Sequence, residues 1–317
     1  MKKLIVALVF IFIAAVLAVY LFIPQKLTVE ESMTFFCVPA ATFRNLSEGS
    51  SWGKWWPGDV VSGKTKDSAN DYYYSNNQYT LSQKNINVLQ VLIGNKKETL
   101  TSEIHVLAIP NDSTLVKWQF NMDAGSNPFS RFLQYRKAVA LKKSMHTILK
   151  SIQTYLSDIK NVYGVKFYEA AVTDTILITT KSYTAESPSV DYVYSRIDKL
   201  KQFCSKEGCK IVGTPMLNIT PQHPAGYNVM LALPVDRFIP AKDSVFPVRL
   251  VGDKFVIADV TGGLKTVAYI HQQMRYYFQD YGKILMAVPF DYLITDRQKE
   301  TDTTKWKTKI FSPLFHN

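Results

Sequence analysis

The hydrophobic pattern of this chain changes character along its length. It opens with an unbroken apolar run over residues 4–23, from Leu4 to Ile23, LIVALVFIFIAAVLAVYLFI, twenty residues without a charge, an amide or a proline. A helix of roughly 20 apolar residues crosses a bilayer core, so the run predicts a transmembrane helix. Lys2 and Lys3 precede it, and Pro24, Gln25 and Lys26 follow. Positive charge collects on the cytoplasmic side of a span. That places the N-terminus in the cytoplasm and the globular body in the periplasm, at the outer face of a bacterial inner membrane. The competing reading is a cleaved signal peptide, with an apolar stretch of roughly 7–15 residues and a small-x-small cleavage site. The run here is longer and ends in the bulky Val19-Tyr20-Leu21-Phe22-Ile23-Pro24. An uncleaved, single-pass anchor over residues 1–25 is expected.

Past the anchor the apolar runs shorten and polar turns divide them. Residues 26–33 read as a strand, and Pro39 opens a short helix at a position where its missing N–H costs little. A tryptophan-dense turn follows, Ser51-Trp52-Gly53-Lys54-Trp55-Trp56-Pro57-Gly58. Residues 72–83, 86–93, 100–109 and 114–122 read as strands, separated by turn chemistry such as Gly94-Asn95-Lys96-Lys97 and Pro110-Asn111-Asp112-Ser113. A helix over residues 128–160 then carries Leu141, Met145, Ile148, Leu149, Ile152, Tyr155, Leu156 and Ile159 at three- and four-residue spacing, one broad apolar stripe. These elements make a first domain over residues 26–161.

The Pro39-Ala40-Ala41-Thr42-Phe43 helix start, the Trp52/Trp55/Trp56/Pro57 element and Leu115-Val116-Lys117-Trp118 before Asn127-Pro128-Phe129 resemble the START-like (SRPBCC, polyketide cyclase-type) superfamily. The resemblance implies a helix-grip fold, a curved antiparallel sheet holding a long helix around an apolar cavity. It implies hydrophobic ligand binding, with Trp52, Trp55 and Trp56 either at a cavity mouth or packed in the core.

The pattern repeats in a second domain over residues 162–317. Residues 167–174 and 175–183 read as strands. Val190, Val193, Tyr194, Ile197, Leu200 and Phe203 mark a helix that stops at Gly208. Strands are expected over residues 216–219, 227–235, 254–260, 264–270, 292–295 and 306–311. A second helix is expected over residues 272–282, with His271 at its start. The order is β-α-β-β, twice. Gly213-Thr214-Pro215, Tyr227 with Leu233-Pro234-Val235, Gly262-Gly263, His271 and the closing Thr308-Lys309-Ile310-Phe311-Ser312-Pro313 resemble the GyrI-like, or bacterial transcription-activator effector-binding, domain. That resemblance implies two pseudo-symmetric halves and an aromatic-lined cleft between them. Such a cleft often holds a buried glutamate that pairs with cationic, apolar ligands, helped by cation–π contacts. The matching segment here is Pro289-Phe290-Asp291-Tyr292-Leu293, where Asp291 takes the glutamate's place and Leu293 that of a tyrosine. Asp291, His271, Tyr227 and Tyr277 are therefore candidate ligand contacts. A surface turn for Asp291, a helix cap for His271 and core packing for Tyr277 are the plainer alternatives.

Composition narrows the picture further. The net charge is +11, or +9 once Lys2 and Lys3 are assigned to the anchor. The charges are dispersed rather than clustered, which reads as a basic solvated surface, and no nucleic-acid partner is expected. Cys204 and Cys209 flank Gly208 and stand as a possible disulfide or as two free thiols. There is no C-x-x-C pair, so no metal site is expected. Nucleophile, phosphate-loop and dinucleotide motifs are absent, and Glu30 and Glu31, adjacent on a strand, face opposite ways.

The expectation is thus an α+β chain that binds a lipophilic small molecule, neutral or cationic, at the membrane surface, with no cofactor and no catalytic residue. Two alternatives stay open. One is a hydrolase of electrophilic small molecules, as some GyrI-like proteins resemble; the other is a structural envelope partner.

Overall fold

The computed structural model describes residues 2–61, 71–95, 98–172, 176–250, 254–284 and 288–314. Lys96 and Lys97 of one expected turn, and Asp174 and Thr175 at the ends of two expected strands, lie outside the described residues. The fold is α+β, with two antiparallel sheets, and the chain divides into two compact units, Met1–Asp158 and Ile159–Asn317.

In the first unit, α1 (Lys2–Phe22) is a continuous helix, long and apolar enough to cross a membrane. Tyr20 donates its hydroxyl to Ser126 O at 2.9 Å, and Arg131 Nη1 donates to Ile23 O at 3.2 Å. Then come β1 (Lys26–Phe35), α2 (Pro39–Ser47) and a 3-10 turn (Gly49–Lys54). A meander follows, of β2 (Asp59–Val61), β3 (Asp71–Tyr74), β4 (Asn77–Asn85), β5 (Val88–Asn95), β6 (Glu98–Ile109) and β7 (Ser113–Asp123). The sheet order is β1-β7-β6-β5-β4-β3-β2, all antiparallel. The stretch read as one strand over residues 72–83 is two, because Ser75 and Asn76 take positive φ (48° and 65°) and turn the chain tightly.

The helix α3 (Pro128–Leu156) is capped by Asn127, whose side chain accepts from Phe129 N, with Pro128 at the first position. It buries Leu141, Met145, Ile148, Leu149, Ile152 and Leu156, the stripe expected from their spacing. It ends at Leu156 rather than continuing to residue 160; Ser157 caps it, and a separate short helix, α4 (Ile159–Tyr163), opens the second unit.

The second unit continues with β8 (Phe167–Ala170), β9 (Ile176–Thr184), α5 (Val190–Lys206), β10 (Met216–Pro221), β11 (Tyr227–Pro234) and β12 (Phe246–Arg249). It closes with β13 (Lys254–Thr261), α6 (Leu264–Asp280), β14 (Phe290–Leu293) and β15 (Lys307–Leu314). The order β-α-β-β occurs twice, as β9-α5-β10-β11 and β13-α6-β14-β15. All pair into one antiparallel sheet, β12-β9-β11-β10-β14-β15-β13-β8.

Here the expected strand over residues 264–270 is corrected. Those residues are the first two turns of α6. Val267, Ile270, Met274 and Phe278 recur at three- and four-residue spacing and are all buried against β13 and β15. The chain enters the helix through Gly262, whose φ of +139° favours a residue without Cβ. Cys204 and Cys209 are joined as a disulfide with Cα atoms 5.1 Å apart, closing the end of α5.

Candidate functional site

The topology of the second unit leaves its midline open. The helix α5 packs over β9 and β11 through Val193, Ile197, Leu200 and Cys204. The helix α6 packs over β13 and β15. Between them run the central strands β10 and β14, paired at Met216–Tyr292 and Leu217–Asp291. A cleft of about 640 Å³ lies over that pair. Its walls are Leu217, Asn218, Ile219 and Thr220 of β10, and Leu264, Val267, Ala268, His271 and Arg275 of α6. Val288, Pro289, Asp291 and Arg297 supply the rest of the floor and rim, with Ser187 ahead of α5.

The positions in α6 are set by helical periodicity. Leu264, Val267, Ala268, His271 and Arg275 lie three or four residues apart and so share one face. His271 is thus mid-helix, which corrects its reading as a helix start. On β14, side chains alternate. Phe290 and Tyr292 point into an aromatic cluster with Phe255 and Phe311 on one face of the sheet. Asp291 points to the other face, toward α6. The result is an Asp291 Oδ1–His271 Nε2 contact of 2.8 Å, with side-chain exposures of 14% and 26%. Asp291 is therefore no surface turn carboxylate.

Arg297 also lines the cleft, and it arrives from the loop after β14. Its backbone N–H donates to Tyr194 Oη at 2.7 Å, and that hydroxyl donates to Thr295 O at 3.1 Å, so α5 fixes the loop. The guanidinium is buried, at 6% exposure. It lies 4.8 Å from the Trp306 ring centroid, and Nη2 donates to Thr308 Oγ1 at 2.9 Å. Burial pushes Arg297 below the usual arginine range, and the fields of Tyr194 and Asp291 oppose that shift. Burial likewise raises the Tyr194 hydroxyl.

The remaining candidates do not join this cleft. Tyr277 sits about two-thirds of a turn round α6 from His271 and packs on Tyr163, Phe167 and Tyr281, where burial raises its hydroxyl. Tyr227, at the start of β11, packs against the α5 core. Trp52, Trp55 and Trp56 belong to the first unit's core, at 2%, 5% and 8% exposure. Their rings lie 5.5–5.8 Å apart, and the Trp52 and Trp56 indoles donate to Leu46 O and Tyr73 O. Their burial fits core packing. Among the described residues, no group of three or more His, Cys, Asp or Glu is placed to hold a metal ion.

The site residues that sequence reading missed are Arg297 and Arg275. Arg297 lies in Thr295-Asp296-Arg297-Gln298-Lys299-Glu300, a polar stretch with every mark of a solvated loop. No local signal distinguishes it.

No protein-family model matches the chain, and no curated protein matches it either. Similar solved structures include EcmrR in its complex with DNA, with TM-score 0.43 and 15% identity over 61% of this chain and 73% of that one. SAV2435 bound to tetraphenylphosphonium has TM-score 0.31 and 16% identity, over 47% of this chain and 94% of that one. A hydrolase from Listeria innocua has TM-score 0.35 and 14% identity, over 47% of this chain and 92% of that one. The expectation of no nucleic-acid partner is withdrawn, since EcmrR is seen on DNA.

Proposed function

We propose that this chain is a membrane-anchored small-molecule-binding protein, and that the cleft between α5 and α6 is its ligand site. In this reading residues 1–25 anchor the chain, with its N-terminus in the cytoplasm and its body in the periplasm. Residues 26–161 form a START-like helix-grip domain and residues 162–317 a GyrI-like domain of two pseudo-symmetric halves.

The observation that carries the reading is the cleft itself. It is sized for a small organic molecule, walled by Leu217, Ile219, Leu264 and Val267, and floored by converging ionisable groups, His271, Asp291 and Arg297. An apolar concavity with a few fixed polar groups is the usual form of a ligand site. A hydrolase that pairs a carboxylate with a tyrosine has less support, because among the described residues no tyrosine lines the cleft.

The test is native mass spectrometry of the full-length chain released from detergent micelles, with Ala268→Trp as a variant that fills the cleft from α6. Co-purified small-molecule mass on the native protein, absent from Ala268→Trp, is the expected result. Native and variant proteins that both carry no ligand, with unchanged melting across a library of small apolar molecules, would refute the reading.

A further inference from the structure

The charges in the cleft suit an anion. Two guanidiniums, Arg275 and Arg297, line it against one carboxylate, Asp291. That carboxylate is already engaged: it lies 2.8 Å from His271 Nε2, and its field bears on Arg297. A cationic ligand would have to displace His271 and then sit beside the buried guanidinium of Arg297, where Coulomb repulsion is weakly screened, with Arg275 a second like charge on the exposed rim.

Arg297 itself has unused capacity. A guanidinium carries five N–H donors. Nη2 donates to Thr308 Oγ1, while Nε is buried and has no hydrogen-bond partner among the described residues. Buried donors are nearly always paired, and the Arg297 side chain, which lines the cleft, is short of an acceptor there. A carboxylate meets a guanidinium fork with two parallel hydrogen bonds. Arg275, exposed on the α6 rim and held by Gln272 Oε1 at 2.8 Å, adds a second positive charge at the mouth. The intervening wall is aliphatic, from Leu217, Ile219, Leu264 and Val267.

We propose that the ligand is an amphipathic organic acid, its carboxylate directed to Arg297 and Arg275 and its apolar body lying along β10 and α6. This rests on the cleft being a ligand site and supplies the ligand's class.

The experiment compares three probes of one shape on the full-length chain in detergent micelles, by calorimetric titration against micelle blanks. They are naphthalene-2-carboxylate, the neutral naphthalene-2-carboxamide and the cationic naphthalen-2-ylmethylammonium. The carboxylate is expected to bind at least about tenfold more tightly than the carboxamide, the scale of one charge-assisted hydrogen bond, with the ammonium weakest. Arg297→Met removes the preference for the carboxylate. Arg297→Lys keeps the charge but loses the fork and reduces the preference. Arg275→Gln, on the exposed rim, reduces it and decides the matter where Arg297→Met fails to fold. An ammonium that binds more tightly than the carboxylate overturns the proposal, as does a carboxylate preference untouched by Arg275→Gln and Arg297→Lys. If carboxamide and carboxylate bind equally and Ala268→Trp abolishes both, the acid class is wrong while the ligand site stands. If none of the three binds, both readings fall.

Discussion

Trp52 offers a quantitative test of whether the tryptophan cluster is core or cavity rim. Its side chain is 2% exposed, stacks on Trp56 at 5.6 Å with planes 8° apart, and touches Trp55 and Tyr72 at 5.5 and 5.3 Å. Trp52→Ala removes these contacts and the indole N–H that serves Leu46 O at 2.8 Å. Burial of roughly 150–250 Å² at about 25 cal/mol per Å² gives about 4–6 kcal/mol, close to the range of about 3–5 kcal/mol seen for buried Trp→Ala. A loss of about 4 kcal/mol in a unit of this size lowers its midpoint by roughly 8–16 °C. Four of the five tryptophans, Trp52, Trp55, Trp56 and Trp118, lie in the first unit, and Trp306 lies in the second. Tryptophan fluorescence therefore reports mainly the first unit, and circular dichroism reports both. The expected outcome is one transition moved down by about 10 °C and the other left in place, with Trp52→Phe intermediate. A rim residue would lose little on truncation, so a shift under about 2 °C in Trp52→Ala would refute the core assignment.

Three further outcomes follow from the same contacts. Opening the Cys204–Cys209 disulfide, by reductant or as Cys204→Ser with Cys209→Ser, should cost about 2 kcal/mol, the chain entropy of so short a loop, read as a lower denaturant midpoint for the Trp306 signal. Asp291→Ala removes the carboxylate held against His271 and the counter-charge of Arg297. It should destabilise the second unit by about 1.5–3 kcal/mol, with Asp291→Asn costing less, and an equal loss in both variants would argue against a role for the charge. Burial pushes the Tyr79 hydroxyl up to about 12 from 10.0, so above pH 10 the unfolded chain sheds a proton that the fold retains. Stability should then fall by about 1.4 kcal/mol per pH unit between 10 and 12, and Tyr79→Phe should flatten that slope in alkaline denaturation curves.

What was legible in the sequence was what periodicity alone determines. The helix α5 could be read from Val193, Ile197 and Leu200, and α3 from Leu141 to Leu156, because one buried stripe leaves one spacing. Reading failed where length or composition hid the period. The strands β2 and β12, of three and four residues, are too short to show alternation, and both lie at the edge of a sheet. Residues 264–270 are rich in Val, Ile and Tyr and mimic a strand until the spacing is followed through Met274 and Phe278. Ser75-Asn76 turned a chain segment whose flanking tyrosines look like one continuous strand.

The site was less legible than the fold, and the reason is topological. No motif marks it. Its location follows from two helices, each seated over its own half of one sheet, with β10 and β14 running between them. Asp291 faces that gap because strand neighbours alternate. His271 meets it because α6 starts at Leu264 instead of after residue 270, a shift that moves the histidine from helix cap to helix face. Arg297 enters through tertiary contacts, among them the Tyr194 hydroxyl that fixes its loop from α5, across 103 residues of sequence. Its burial is unfavourable to the free protein, since a guanidinium pushed below its usual range and short of acceptors lowers stability. A core selected for stability alone would place an aliphatic side chain there. An arginine held in that position by Tyr194, Thr308 and Trp306 makes sense when an anion completes it, so the residue that sequence reading passed over as a solvated loop cation is the one that defines the ligand.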